Sequence, residues 1–263
     1  MLSYRHGFHA GNPADVFKHS VLIALVDAML QKPKGIQFFD THAGPALYDL
    51  TRPEAQKNRE FDAGIGRLWH RRPGPHQAPA YLEQVRALNP DGRLRWYPGS
   101  PMLLRNMMRP VDHLILCELH PAEQQVLRTR YAGDPQVTVH EGSGYPALAR
   151  YLPPYGGRGM VLIDPPYELK SERDDLTDAL RAALKRHAHG VYALWYPLIE
   201  GRDDTAPDPL PHALNLSGEA WLDLRVAFPS AERLGRMHGC GMAIINCPWR
   251  AREPLLNLSS AWR

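Results

Sequence analysis

The chain is predicted to fold as a Rossmann-like α/β domain around a seven-stranded, mostly parallel sheet with an antiparallel last strand. Three observations predict this. Short apolar runs alternate with helical stretches along most of the chain. Three of these runs end in a carboxylate: Phe38-Phe39-Asp40, Leu116-Cys117-Glu118 and Leu162-Ile163-Asp164. The last two, Trp221 to Phe228 and Gly241 to Asn246, are joined by a linker too short for a crossover helix, so they must be antiparallel.

Taken in order, residues 1 to 20 are dense in groups that do chemistry or hold phosphate: Tyr4, Arg5, His6, His9, Lys18 and His19. Asn12, Pro13 and Asp15 are an N-cap, a first-turn proline and a first-turn acid, so a helix starts here and runs to about Leu30. Val16, Ile23 and Leu30 fall among its core positions. Gly35 to Asp40 is the first strand, and the small-residue turn Thr41-His42-Ala43-Gly44 is placed where such sheets hold a cofactor.

Residues 48 to 94 interrupt the alternation. Phe61, Ile65, Leu68 and Trp69 have helical spacing, as do Tyr81, Leu82, Val85 and Leu88, with a stop at Asn89-Pro90-Asp91-Gly92. This predicts a helical insertion within a single domain spanning residues 1 to 263. Its basic stretch Arg67, His70, Arg71 and Arg72 reads either as a phosphate contact or as a solvated helix end.

Tyr97-Pro98-Gly99-Ser100-Pro101 resumes the main fold, with Ser100 as N-cap and Pro101 at the first helical position. His113 to Cys117 is the second strand. Glu118 closes it where Rossmann-like folds hold ribose hydroxyls. Gln136 to His140 is the third strand, followed by Glu141-Gly142-Ser143-Gly144. Met160 to Ile163 and Gly190 to Trp195 are the fourth and fifth, with a helix from Asp174 to His187 between them. Gly201 to Pro211 is rich in proline and aspartate and reads as a mobile loop. Seven strands with this antiparallel ending are the layout of class I S-adenosylmethionine-dependent methyltransferases.

Composition narrows the function. With 263 residues, 44% hydrophobic and 22% charged, the chain reads as an ordinary globular domain. A net charge of +3 is compatible with a nucleic-acid partner without specifying one. Cys117, Cys240 and Cys247 lack metal-site spacing, and an odd count argues against a disulfide framework. No Gly-Lys-Ser/Thr loop is present, which argues against nucleoside triphosphates. The polar N-terminus has no signal-peptide core, and no run reaches the ~18 apolar residues of a membrane span. A cytoplasmic protein that does not engage a membrane is expected.

Asp164-Pro165-Pro166-Tyr167 is the most informative stretch. An adenine N6 lone pair is delocalised into its ring and attacks poorly. A carboxylate and a backbone carbonyl, each accepting one N6 hydrogen, favour a pyramidal nitrogen, and a tyrosine face stacks on a flipped-out base. Asp164, the Pro165 carbonyl and Tyr167 are therefore catalytic candidates for methylating an exocyclic amine. An ordinary strand followed by a proline turn is the plainer reading of the same residues.

Tyr4-Arg5-His6-Gly7-Phe8-His9-Ala10-Gly11-Asn12, Asp15, Lys18-His19, Asp40 to Gly44, Tyr97 to Pro101, Glu118-Leu119-His120-Pro121, Asp164 to Tyr167 and Ala193-Leu194-Trp195-Tyr196-Pro197 together resemble one family. It is the bacterial 23S ribosomal RNA adenine-2030 N6-methyltransferases. The resemblance implies a monomeric enzyme acting on 23S rRNA, naked or early in assembly, with S-adenosylmethionine and no metal. It implies cofactor contacts at His19, Asp40, His42, Gly44, Ser100, Glu118, Ser143, Gly144 and Asp164. Tyr4, His6 and Lys18 match family positions beside the catalytic Asp164.

Two positions depart from the family pattern: Ser143-Gly144 stands where Asp-Gly is expected, and Pro45-Ala46 where further glycine is expected. The chain also ends soon after its last strand, so a C-terminal extension looks shortened. Three alternatives stay open on the sequence. One is the same chemistry on DNA or another RNA. Another is a metal-dependent hydrolase built from His6, His9, His19 and His42. The third is a non-catalytic RNA-binding protein on this fold.

Overall fold

The computed structural model describes residues 6–70, 79–168, 171–202, 205–229, 233–234 and 236–262. A 3-10 turn at His6–Phe8 leads into α1, Pro13–Leu30. The Asn12 side chain accepts the Asp15 N–H at 2.9 Å and Pro13 occupies the first turn, as the sequence indicates. Such a cap contributes about 1 kcal/mol. The chain continues through β1 (Gln37–Asp40), β2 (Leu47–Asp49), α2 (Pro53–Asn58), α3 (Ile65–Trp69), α4 (Pro79–Ala87) and β3 (Trp96–Pro98). Then follow α5 (Ser100–Met107), β4 (His113–Glu118), α6 (Pro121–Arg130), β5 (Val137–Glu141), α7 (Gly144–Tyr151) and β6 (Gly159–Ile163). The last third holds α8 (Glu172–Arg186), β7 (Val191–Ile199), α9 (Leu210–Ala213), β8 (Trp221–Ala227), β9 (Met237–Ile245) and α10 (Trp249–Ser260).

Seven strands form one sheet in the order β5-β4-β1-β6-β7-β9-β8. All neighbours are parallel except β9, which runs antiparallel to both β7 and β8. This is the predicted class I methyltransferase topology. Alternate residues of each strand enter opposite cores. Phe38, Leu114, Leu116, Met160 and Leu162 pack with Phe17, Val21 and Leu25 of α1 on one face. Phe39, Ile115, Val161 and Ile163 pack with Leu148, Leu176 and Leu180 of α7 and α8 on the other. A sheet covered on both sides explains the unbroken apolar run of β6.

Several elements differ from the sequence reading. β7 runs on to Ile199, because its outer residues pair with β9 after β6 has ended. β2 and β3 form a separate antiparallel ribbon that the sequence did not signal, since three-residue strands have too little periodicity. α10 was also not anticipated, and it packs on α1 and β8. Ser100 does not cap α5: Gly99 is the N-cap, and the Ser100 hydroxyl donates to Asp40 instead. In the segment read as a mobile loop, Thr205 is buried and its hydroxyl donates to the Pro197 carbonyl at 2.8 Å.

The insertion is fastened to α1 and to the N-terminal turn. Phe61, Ile65, Tyr81, Leu82 and Val85 share a core with Val16 and Ile23, while Leu30 is only partly buried. The Ile65 N–H donates to the Gly11 carbonyl at 2.9 Å. A Cβ on Gly64 would lie 2.1 Å from that same carbonyl oxygen, so only glycine permits the approach. Gly64→Ala should destabilise the fold by about 1–3 kcal/mol, seen as a lower melting temperature by circular dichroism. An unchanged melting temperature would show that this contact adds no stability.

Asp40, at the end of β1, has no exposed surface. Burial raises its carboxyl pKa to about 7, against the opposing hydrogen bonds from the Ser100 hydroxyl and the His42 N–H. The folded chain therefore keeps a proton that the unfolded chain has lost, and stability falls as pH rises from about 4 to about 7. Asp40→Asn should remove this loss. Urea titrations across that window should show the variant gaining on the wild type by up to a few kcal/mol. A constant difference across the window would mean that Asp40 titrates normally.

Candidate active site

Strand register decides which side chains reach the rim of the sheet. Asp40 is level with Leu116 of β4 and Leu162 of β6. Glu118 and Asp164 follow two residues later in their strands, so they emerge one pleat repeat beyond Asp40, level with His42. Trp195 follows Leu194, the partner of Ile163, and so stands beside Asp164. Ser143 lies two residues past Glu141, the partner of Glu118. At this C-terminal edge a cavity of about 550 Å³ is lined by Asp164, Pro165, Tyr167, His6 and Lys18. It is lined also by His19, His42, Gly44, Ser100, Glu118, Ser143 and Gly144. Tyr4 lies outside the described residues.

The predicted cofactor residues all line the cavity, with one exception. Glu118 accepts the Gly44 N–H at 2.8 Å on one oxygen and the His120 N–H at 2.7 Å on the other. Gly44 has φ 61°, which favours glycine. A Cβ on Gly144 would come within 2.5 Å of Thr41, so the start of α7 lies directly on the β1 turn. His42 shares a 2.7 Å hydrogen bond with the Thr41 hydroxyl, and burial lowers its pKa to about 4. The exception is Asp40, which sits one pleat repeat below the rim and does not line the cavity. It supports the wall from behind through Ser100 and His42.

His19 is buried, and its Nδ1 lies 2.8 Å from the Tyr97 hydroxyl. Burial lowers its pKa to about 3, so it is neutral. Its Nε2 and the Nδ1 of His120 are buried in the cavity wall without a protein partner. A buried polar atom left in this way costs free energy until a ligand or water meets it. The Glu118 carboxylate beside the Gly44 turn suits a hydroxyl-bearing ligand of nucleoside type. S-adenosylmethionine fits that description.

Part of the cavity wall is built on β6 and β7. Tyr167 is a non-glycine residue at φ 54°, a strained conformation that persists where surrounding contacts over-determine it. Here its hydroxyl donates to the Trp195 carbonyl at 2.9 Å, and its ring meets the Trp195 ring edge-on at 6.2 Å. Lys18 bridges two carboxylates, with Nζ 2.5 Å from Asp164 Oδ2 and 2.8 Å from Asp15 Oδ1. Burial acts to lower the lysine pKa, but the two carboxylates outweigh it and hold the ammonium firmly charged. Burial likewise acts to raise the Asp15 pKa, and His6 and Lys18 hold it well below the usual carboxylate range. Asp15 Oδ2 lies 2.9 Å from His6 Nε2 and accepts the Gly11 N–H at 2.9 Å.

Sequence reasoning placed Lys18 and His6 here but gave Asp15 no part in the site, using it as a helix-start signal and as one of the residues of the family resemblance. It also missed Glu60, whose carboxylate meets His9 Nδ1 at 2.9 Å and accepts from Asn12 at 3.1 Å. Trp195 lies midway along β7, but it closes the strand as read from the sequence, so the strand-end argument that found Asp164 could have found it too. The four histidines of the hydrolase reading point to four different partners: Asp15, Glu60, Tyr97 and Thr41. Among the described residues no group of three or more His, Cys, Asp or Glu could hold a metal ion. Among them, too, no helix is long and apolar enough to cross a membrane.

The chain resembles known proteins over nearly its whole length. Residues 33–261 match the model of the family described as ribosomal RNA large subunit methyltransferase D, RlmJ. The chain is 38% identical over 260 residues to ribosomal RNA large subunit methyltransferase J of Escherichia coli (strain K12), covering 98% of this chain and 91% of that one. It is 39% identical over 250 residues to the protein of the same name from Haemophilus influenzae, covering 95% and 88%. A crystal structure of a protein from Legionella pneumophila str. Philadelphia 1 superposes with a TM-score of 0.84 at 30% identity, over 96% of this chain and 92% of that one. The chain therefore belongs to the RlmJ family of ribosomal RNA large subunit methyltransferases.

Proposed function

We propose that this protein transfers a methyl group from S-adenosylmethionine to the N6 amine of one adenine in 23S rRNA, the position numbered 2030 in the family it resembles. It does so as a cytoplasmic monomer, one methyltransferase domain that carries the 48–94 insertion. The observation that carries the proposal is Asp164 at the rim of β6, with the Pro165 carbonyl and the fixed Tyr167 ring in the same cavity wall.

When bound, S-adenosylmethionine supplies a methyl already activated by a positive sulfur. The residues of the chain then have to position and polarise the amine. Lys18 holds Asp164 through Oδ2, which leaves Oδ1 to accept one N6 hydrogen. The Pro165 carbonyl accepts the other. Both bonds draw the nitrogen towards a pyramidal shape with its lone pair free for attack. Tyr167 and Trp195 bound the base, and their mutual hydrogen bond keeps the tyrosine ring from turning away. Methylation makes the amine acidic, so the surplus proton passes to Asp164 after the methyl has arrived. Glu118, doubly anchored on backbone N–H groups, is placed to accept hydrogen bonds from ribose hydroxyls.

Transfer of labelled methyl to unmodified 23S rRNA, mapped by nucleoside analysis, tests the reading. N6-methyladenine should appear at one site, and Asp164→Ala should reduce it by at least about 100-fold while cofactor binding persists. Label on DNA alone would overturn the substrate, and no transfer to any nucleic acid despite tight cofactor binding would favour a binding module. Glu118→Ala should weaken S-adenosylmethionine by about 10- to 100-fold in calorimetry, the worth of a hydrogen bond to a charged group. An unchanged affinity would remove Glu118 from the cofactor site.

A further inference from the structure

Lys18 presents a puzzle for the reaction. A buried ammonium hydrogen-bonded to the catalytic carboxylate would, acting alone, cancel the charge that receives the N6 hydrogens. It would also put a positive charge beside a site that has to admit a positively charged donor. Such repulsion is strong where water is excluded, and Lys18 is only 4% exposed.

Asp15 changes that balance. It is 2% exposed, and its Oδ1 lies 2.8 Å from the same ammonium that Asp164 Oδ2 meets at 2.5 Å. Its other oxygen is fixed by the Gly11 N–H and His6 Nε2, each at 2.9 Å, so Oδ1 is left for Lys18. The nearby His19 is neutral and adds no charge. Asp40 lies one pleat repeat lower, engaged with Ser100.

We infer that Asp15 is a positioning residue that offsets Lys18 and so preserves the charge of Asp164: with His6 neutral, the bridged group Asp15–Lys18–Asp164 carries one net negative charge, matched to the sulfonium of the methyl donor and to the cationic amine formed on transfer. Lys18 then orients Asp164 without neutralising it. The inference rests on the N6-methylation reading given above.

The alternative is that Asp15 only anchors the N-terminal turn. A double-mutant cycle separates the two. Affinities for S-adenosylmethionine and for its neutral demethylated product would be measured by calorimetry on wild type, Asp15→Asn, Lys18→Met and the double variant, each first shown to melt cooperatively. Single-turnover transfer to 23S rRNA would be measured alongside.

Asp15→Asn should cut the preference for the charged donor over the neutral product about tenfold and slow transfer about 10- to 100-fold, with KM for RNA within about threefold. The double variant should recover part of both losses, because Asp164 alone again carries one negative charge. An unchanged donor preference, or losses that multiply across the cycle, would overturn the inference. If the Asn variant does not fold, Asp15→Ser takes its place in the same cycle. A wild-type enzyme that made no N6-methyladenine would sink the N6 reading, while the affinity cycle would still judge the charge matching.

Discussion

Three neighbouring parallel strands, β4, β1 and β6, all end near a carboxylate, and like charges at adjacent strand ends repel unless each is given its own partner. The site is organised by how this is met. Glu118 takes two backbone N–H groups. Asp40 is set one pleat repeat lower, out of the cavity, where it holds Ser100 and has a raised pKa. Asp164 takes the Lys18 ammonium. Three different solutions on one sheet edge produce three different chemistries from the same functional group. One carboxylate is held by two backbone N–H groups, one braces the wall and one is paired with an ammonium at the cavity.

Supplying Lys18 requires α1 to lie over the sheet edge in one register, and much of the remaining structure serves that end. The sheet-facing side of α1 packs on β1, β4 and β6 through Phe17, Val21 and Leu25. Its other side is covered by the insertion through Val16 and Ile23. The N-terminal turn is in turn held by Glu60 and by the Gly11–Ile65 hydrogen bond. The segment from α2 to α4 thus braces α1 from outside.

The parts of this arrangement that follow from local pattern were legible in the sequence. The strand runs, the Asn12-Pro13 helix start and the antiparallel β9 each have a local cause, and each was read within a few residues. The ion bridge was not legible, because Asp15 and Asp164 meet only through Lys18. Asp15 also has an ordinary role as a first-turn acid that fully accounts for its presence. Asp40 and Glu118 look alike in sequence, as carboxylates closing apolar runs. Only the pairing of β1 with β4 and β6 shows that one is buried and the other lines the cavity. Ser100 was misread as a cap for a related reason: its position beside Pro101 suits that role, and the competing acceptor lies far away in sequence.

The span between Lys18 and Asp164 is 146 residues. On a chain made from its N-terminus, α1 and its lysine emerge long before the strand that supplies the partner carboxylate. Closing so long a loop is slow, and it waits on the sheet being built outward from β1. Until then Asp15 is the lysine's nearest counter-charge, a pairing available within the first turns of the helix itself. The Lys18–Asp164 contact can therefore form only once β6 has been made, and a chain that stops short of Asp164 lacks it.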